Sequence, residues 1–139
     1  SINQFKELDR YPNCHFHGSY VTPVDLPQIY SQIDLLLSTY DTDFENVRYA
    51  EPNKFYESIF FETPIVVSEG TYLGENVMKY NTGYVVNPFD KRNIETFING
   101  LTDNDIQSKV NSIKKIPKEF SINNTDAFFE RLGHLLGSH

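Results

Sequence analysis

Apolar residues along the chain fall into two patterns, short strand-like runs and stretches with helical spacing. Strands are predicted near residues 13–18, 34–39, 64–68 and 83–88. Two of these strands, DLLLST and PIVVS, are continuous apolar runs of the kind found in a sheet covered on both faces. Between the strands, apolar residues recur every three or four positions, so we expect helices near residues 2–11, 23–33, 52–61 and 75–80.

The second half of the chain has a different pattern, because it is helical throughout. Helices are predicted over residues 91–101, 105–116 and 127–136, with Pro117 separating the last two. Strands that alternate with helices in the first part indicate right-handed parallel crossovers. We therefore predict the α/β class, with a Rossmann-like parallel sheet of about four strands flanked by helices. Residues 40–51 are predicted to be a loop, and its length suggests a functional role.

Length and charge narrow the class of protein. The 139 residues suffice for one core, so we expect a single domain over residues 1–136, followed by a Gly-Ser-His remnant of a purification tag at 137–139. A net charge of -7 argues against a nucleic-acid partner, since phosphate backbones attract dense Lys and Arg surfaces. The single cysteine, Cys14, favours a reducing cytoplasm. No apolar run approaches the ~20 residues of a membrane span.

The stretch EPNKFYES, residues 51–58, carries the most suggestive chemistry. In a parallel α/β sheet, ligands bind beyond the carboxyl ends of the strands, where helix N-termini attract anions. Lys54 adds a full positive charge to such an N-terminus, and Glu57, one turn later, can accept hydrogen bonds from a ribose diol. Asn53 lies on the same helical face. An ordinary intrahelical Lys–Glu pair, stabilising by about 0.2–0.5 kcal/mol, is the alternative explanation.

Seven motifs in this order resemble the C-terminal, nucleotide-sugar-binding half of the GT-B-fold glycosyltransferases, specifically the large retaining family four. They are F-x-G at 16–18, the spaced Leu26, Tyr30 and Asp34, DLLLST at 34–39, P-N-x-x-x-E at 52–57, T-P-I-V-V-S at 63–68, G-x-x-E-N-V around Glu75, and T-G-Y-V-V-N-P-F-D at 82–90. The resemblance implies a truncated GT-B C-terminal domain. It also implies a nucleotide-sugar donor as substrate, with no metal and no other cofactor.

The resemblance assigns roles to individual residues. In the family, two glutamates with seven residues between them lie on either side of the start of this helix. Glu57 matches the second glutamate, which binds the ribose, whereas Tyr49 stands at the position of the first. We expect Glu51, two positions later, to serve in place of that first glutamate as the catalytic residue. Asn53 and Lys54 match positions near the phosphates.

The remaining donor contacts are expected at one other strand end and at one other helix start. Gly18 and Ser19 end the first predicted strand, where relatives bind the nucleotide base. Tyr72 is expected to cover the pocket, and Glu75 is expected near the donor. The sequence also departs from the family at Glu62, where Gly usually precedes T-P.

The chain is further expected to be a fragment of a larger enzyme, because it opens inside an amphipathic helix without Met. It lacks the family's first two strands of this half, which carry an Arg and a Lys that neutralise the leaving diphosphate, and it lacks the acceptor-binding half. We therefore expect the fragment to bind a donor without catalysing transfer. The full enzyme would use a glycan or lipid-linked acceptor, in the cytoplasm, with any attachment to the inner membrane face made by the missing part.

Other interpretations remain open. Asp41 and Asp43 form the D-x-D pattern of metal-dependent glycosyltransferases, but two aspartates in an acidic loop often occur by chance, so we expect a solvated loop there. Cys14, His15 and His17 resemble a zinc cluster, but alternate residues of a strand face opposite ways, so we expect no metal site there. Two further functions compete with the first: a sugar-nucleotide epimerase of the same architecture, and a non-catalytic flavodoxin-like module that binds a nucleotide or a partner.

Overall fold

A computed structural model describes residues 24–39 and 53–123, with side chains over 24–39 and 54–121. These ranges contain the strands β1 (Leu36–Ser38), β2 (Ile65–Ser68) and β3 (Gly83–Val86). They also contain the helices α1 (Leu26–Ser31), α2 (Asn53–Phe60), α3 (Tyr72–Tyr80), α4 (Lys91–Gly100), α5 (Asp103–Lys114) and α6 (Lys118–Asn123). Within this described part, no helix is long and apolar enough to cross a bilayer.

The three strands form one parallel sheet in the order β1-β2-β3. Leu36 lies opposite Ile65, and Ile65 lies opposite Gly83. The predicted α/β class and the parallel pairing are therefore confirmed. The described residues contain three strands where about four were predicted, because the strand expected at 13–18 lies outside them.

Capping residues set the helix starts and explain two differences from the predicted boundaries. The Thr71 side chain accepts a hydrogen bond from the Gly74 amide at 2.9 Å, so α3 begins at Tyr72 and not at Glu75. Thr102 and Asp105 form a capping box at the start of α5, which begins at Asp103, two residues before the predicted start. The Asp105 carboxylate accepts a hydrogen bond from the Thr102 amide at 3.0 Å. This hydrogen bond holds the pKa of Asp105 below its usual value.

Helix α6 was not predicted. Pro117 was interpreted as a break between helices. Instead, its carbonyl accepts a hydrogen bond from the Phe120 amide at 3.0 Å, and the short helix begins at the next residue, Lys118. The predicted helices at 2–11 and 127–136, the predicted strand at 13–18 and the predicted loop at 40–51 lie outside the described residues.

Alternating residues of the sheet face two sides. On one side, Phe55 and Ile59 of α2 join Ile65 and Val67 of β2 in the buried core, together with Leu73, Val77 and Ile113. On the other side, the Tyr84 ring lies 5.0 Å from the Phe97 ring of α4, measured between centroids. The Tyr84 hydroxyl donates to the Asp105 carbonyl at 3.1 Å. Burial, and secondarily the negative charge of Asp105, raises the pKa of Tyr84.

The connections define two edges of the sheet. The Leu36 amide donates to the Pro64 carbonyl at 2.9 Å, so the end of α2 and the starts of β1 and β2 meet at one edge, the amino edge. Helix α2 has eight residues and rises about 12 Å, while the four residues of β2 extend about 13 Å. Because α2 returns along the sheet, its first turn lies near the opposite, carboxyl edge, where β2 and β3 end.

Gly83 of β3 lies very close to the backbone of the neighbouring strand β2, and a stability prediction follows from this close contact. A Cβ atom at Gly83 would lie 1.8 Å from the Ile65 carbonyl oxygen, whereas one at Gly100 would meet nothing within 4 Å. We expect Gly83→Ala to destabilise the protein by about 1–3 kcal/mol or more, because the neighbouring strand must move. Gly100→Ala, in a helix, should be neutral or stabilising by up to about 1 kcal/mol. Urea denaturation measures both, and equal midpoints would contradict the prediction.

Candidate functional site

Lys54 and Glu57 lie together on the first two turns of α2. The Lys54 ammonium is 3.1 Å from Oε2 of Glu57. Positions three apart on a helix share one face, which explains why the sequence spacing predicted this proximity. The lysine side chain is 33% exposed and the glutamate side chain only 5%. The pair therefore has its cation near solvent and its carboxylate in the protein interior.

A second hydrogen bond to Glu57 comes from a residue that sequence reasoning did not assign to the site. The Tyr30 hydroxyl, on α1, donates to the same Oε2 atom at 2.7 Å. Both residues are buried, and the bond joins positions 27 apart in the sequence. The predicted ordinary Lys–Glu pair is thus present, but it is one part of a three-residue group that connects α1 to α2.

The electrostatics of the group follow from its burial. A buried carboxylate is unstable unless opposite charge and hydrogen-bond donors compensate for lost hydration. Lys54 supplies the charge and Tyr30 supplies a short hydrogen bond, both at Oε2. A carboxylate has about four acceptor positions, so two donors at one oxygen leave it chemically able to accept hydroxyl donors at the other. Because only 5% of the Glu57 side chain is exposed, a ligand could contact only that small exposed part of it.

The first turn of α2 is the place where an anion site was predicted. Helix N-termini present unpaired amides and a partial positive charge, which stabilise phosphate groups. Asn53 is the first residue of α2, and its side chain lies outside the described part. Lys54 follows directly and adds an ammonium to the same turn. The sheet geometry puts this turn near the carboxyl edge.

The other predicted donor residues are divided between a second helix and the parts of the chain outside the described residues. Tyr72 and Glu75 lie in the first turn of α3, which starts at the carboxyl edge, and both are exposed. Tyr72 keeps 51% of its surface accessible. Four predicted residues lie outside the described ranges: Gly18, Ser19, Tyr49 and Glu51.

The rival metal motifs cannot be placed. Asp41, Asp43, Cys14, His15 and His17 all lie outside the described residues. Within residues 24–39 and 53–123, no three His, Cys, Asp or Glu side chains are grouped so that they could hold a metal ion.

The Tyr30–Glu57 bond generates a stability prediction with a matched control. Tyr30→Phe removes one hydroxyl donor from a buried carboxylate, and hydrogen bonds to charged groups contribute about 1.5–3 kcal/mol. Tyr84→Phe removes a similar hydroxyl from a neutral, exposed carbonyl, so it should cost at most about 0.5–1.5 kcal/mol. Urea denaturation of both variants provides the comparison. A smaller loss for Tyr30→Phe than for Tyr84→Phe would show that Glu57 does not depend on Tyr30.

Comparisons with known proteins give no relative for this chain. No protein-family model matches it, and neither curated proteins nor solved structures gave a match. Any functional assignment therefore depends on the residues, their geometry and the sequence resemblance described above.

Proposed function

We propose that this chain is the donor-binding part of a retaining, GT-B-fold glycosyltransferase, which moves a sugar from a nucleoside-diphosphate sugar to a glycan or lipid-linked acceptor. The observation that carries the proposal is the Lys54–Glu57 pair on the first turns of α2. In a parallel α/β sheet this is where ligands bind. The proposal includes a fourth strand at residues 13–18, which would complete a Rossmann-like sheet.

The two charged residues would have different tasks. The amides at the start of α2 and the Lys54 ammonium would hold the diphosphate, since both place positive charge where the phosphate oxygens would lie. The Glu57 carboxylate would accept hydrogen bonds from the ribose hydroxyls, one helical turn away. Phosphate and ribose are adjacent in a nucleotide, so the order of these groups along α2 matches the order of groups in the ligand.

Sugar transfer would need further residues. Glu51 or Tyr49 would lie on the donor-sugar side, while Gly18 and Ser19 would contact the base. A departing diphosphate carries negative charge that must be stabilised as it develops. Lys54 would supply one cation for this purpose. We therefore propose nucleotide binding as the property to test in the 139-residue chain.

Nucleotide titration tests the proposal directly. Isothermal titration calorimetry of the chain with UDP, ADP and GDP, each with Mg²⁺ and with EDTA, should detect binding of at least one nucleotide that does not require the metal. Lys54→Met should weaken that binding about tenfold, the effect of losing one charge-assisted hydrogen bond of about 1.4 kcal/mol.

Lys118→Met is the matched control, because Lys118 also pairs with a glutamate, Glu62, at 3.7 Å. Glu62 lies three residues before the start of β2, so this second pair lies at the amino edge, away from the proposed site. The control should bind the nucleotide as the wild type does. Binding that is lost in EDTA would favour a metal-dependent site, and no binding of any nucleotide would refute the proposal.

A further inference from the structure

The hydrogen bond from Tyr30 to Glu57 has a consequence for ligand recognition. We infer that Tyr30 is a positioning residue, which orients the Glu57 carboxylate so that the protein distinguishes ribose from sugars without its hydroxyls. The inference rests on the proposed function and deepens it, because it assigns selectivity to a residue outside α2. Tyr30 would act through Glu57 and would not touch the nucleotide.

The geometry of Oε2 supports this role. Tyr30 at 2.7 Å and Lys54 at 3.1 Å both donate to this one oxygen. Two donors at Oε2 leave Oε1 as the oxygen available to a diol, and they restrict rotation of the carboxylate. Lys54 alone would hold the group less firmly, since its side chain is long, flexible and one-third exposed.

The Tyr30 hydroxyl is itself held in place. Its ring stacks on Phe61 with centroids 4.6 Å apart and planes 8° apart. Tyr30 is 5% exposed and Glu57 4%, so solvent reaches little of either side chain. Phe61 directly follows α2, and Tyr30 therefore contacts this helix region twice, by its ring and by its hydroxyl. A group held in its binding orientation loses less entropy when the ligand arrives.

This arrangement predicts a selective defect. If Tyr30 orients Glu57, deletion of its hydroxyl should weaken only those contacts that Glu57 makes, which are contacts to ribose hydroxyls. Binding of the diphosphate through Lys54 and the helix amides should persist. Tyr30→Phe suits this test because it retains the stacked ring and removes a single oxygen.

The experiment compares each of UDP, ADP and GDP with its 2′,3′-dideoxy form by calorimetry. The ratio of the two dissociation constants measures ribose selectivity. We expect Tyr30→Phe to lower this ratio about tenfold for the nucleotide that binds best, with little change for the dideoxy form. Tyr84→Phe, which removes a phenol hydroxyl elsewhere, should retain the wild-type ratio. Lys54→Met should weaken the dideoxy form as well, which Tyr30→Phe should not, because Lys54 is the residue proposed to hold the phosphates.

The outcomes separate this inference from the proposed function. A wild-type ratio in folded Tyr30→Phe, with nucleotide binding intact, would overturn the positioning role and leave the donor site standing. Absence of nucleotide binding by the wild type would refute both. Circular dichroism shows whether Tyr30→Phe is folded at the assay temperature. If it is not, Phe61→Leu replaces it, since that variant removes the support of the Tyr30 ring, and an unchanged ratio there would likewise overturn the inference.

Discussion

A buried negative charge between two helices is the constraint on which the candidate site depends. Glu57 is nearly inaccessible, and an isolated carboxylate in such a position would be strongly destabilising. Lys54 and Tyr30 make its burial possible, one from the same helix and one from α1. Removing either partner leaves charge or hydrogen-bonding capacity uncompensated, whereas removing the whole group could be tolerated by a well-packed core. Glu57 therefore depends on contacts from two helices, α1 and α2.

Much of the fold could be predicted from the sequence because its signals are local. The apolar runs that became β2 and β3 and the helical spacing of α2 depend on nearby residues, and the structure has these elements within a few positions of the prediction. The end of α2 shows the limit of such reasoning. Glu62 adopts a left-handed conformation with φ of 55°, which usually favours Gly. Its carboxylate pairs with Lys118 of α6, a helix that the sequence did not predict, so local patterns did not reveal this contact.

The candidate site was predictable only in part, for a similar reason. Lys54 and Glu57 are three positions apart on a helix, and their contact follows from helical geometry alone. Tyr30 lies 27 positions from Glu57, and in the sequence it stood out only as one residue of a spaced motif, with Leu26 and Asp34. A single sequence contains no signal that a buried tyrosine hydroxyl meets one particular carboxylate. Contacts of this kind depend on how α1 and α2 pack on the sheet, so they become visible only in three dimensions.

The two edges of the sheet differ in their contacts and in the helices that begin there. At the amino edge, the aromatic rings of Tyr30 and Phe61 stack, and Lys118 lies 5.4 Å from the centre of the Phe60 ring. These contacts stabilise the fold. Neither α2 nor α3 begins at this edge. At the carboxyl edge, the same two helices begin, and their first turns carry exposed or half-exposed side chains. Glu57 lies between the two regions: its position is fixed from the amino edge by Tyr30, while its ion pair extends toward the carboxyl edge through Lys54. A carboxylate that is fixed in orientation in this way would need no reorganisation if a ligand were to bind at the carboxyl edge.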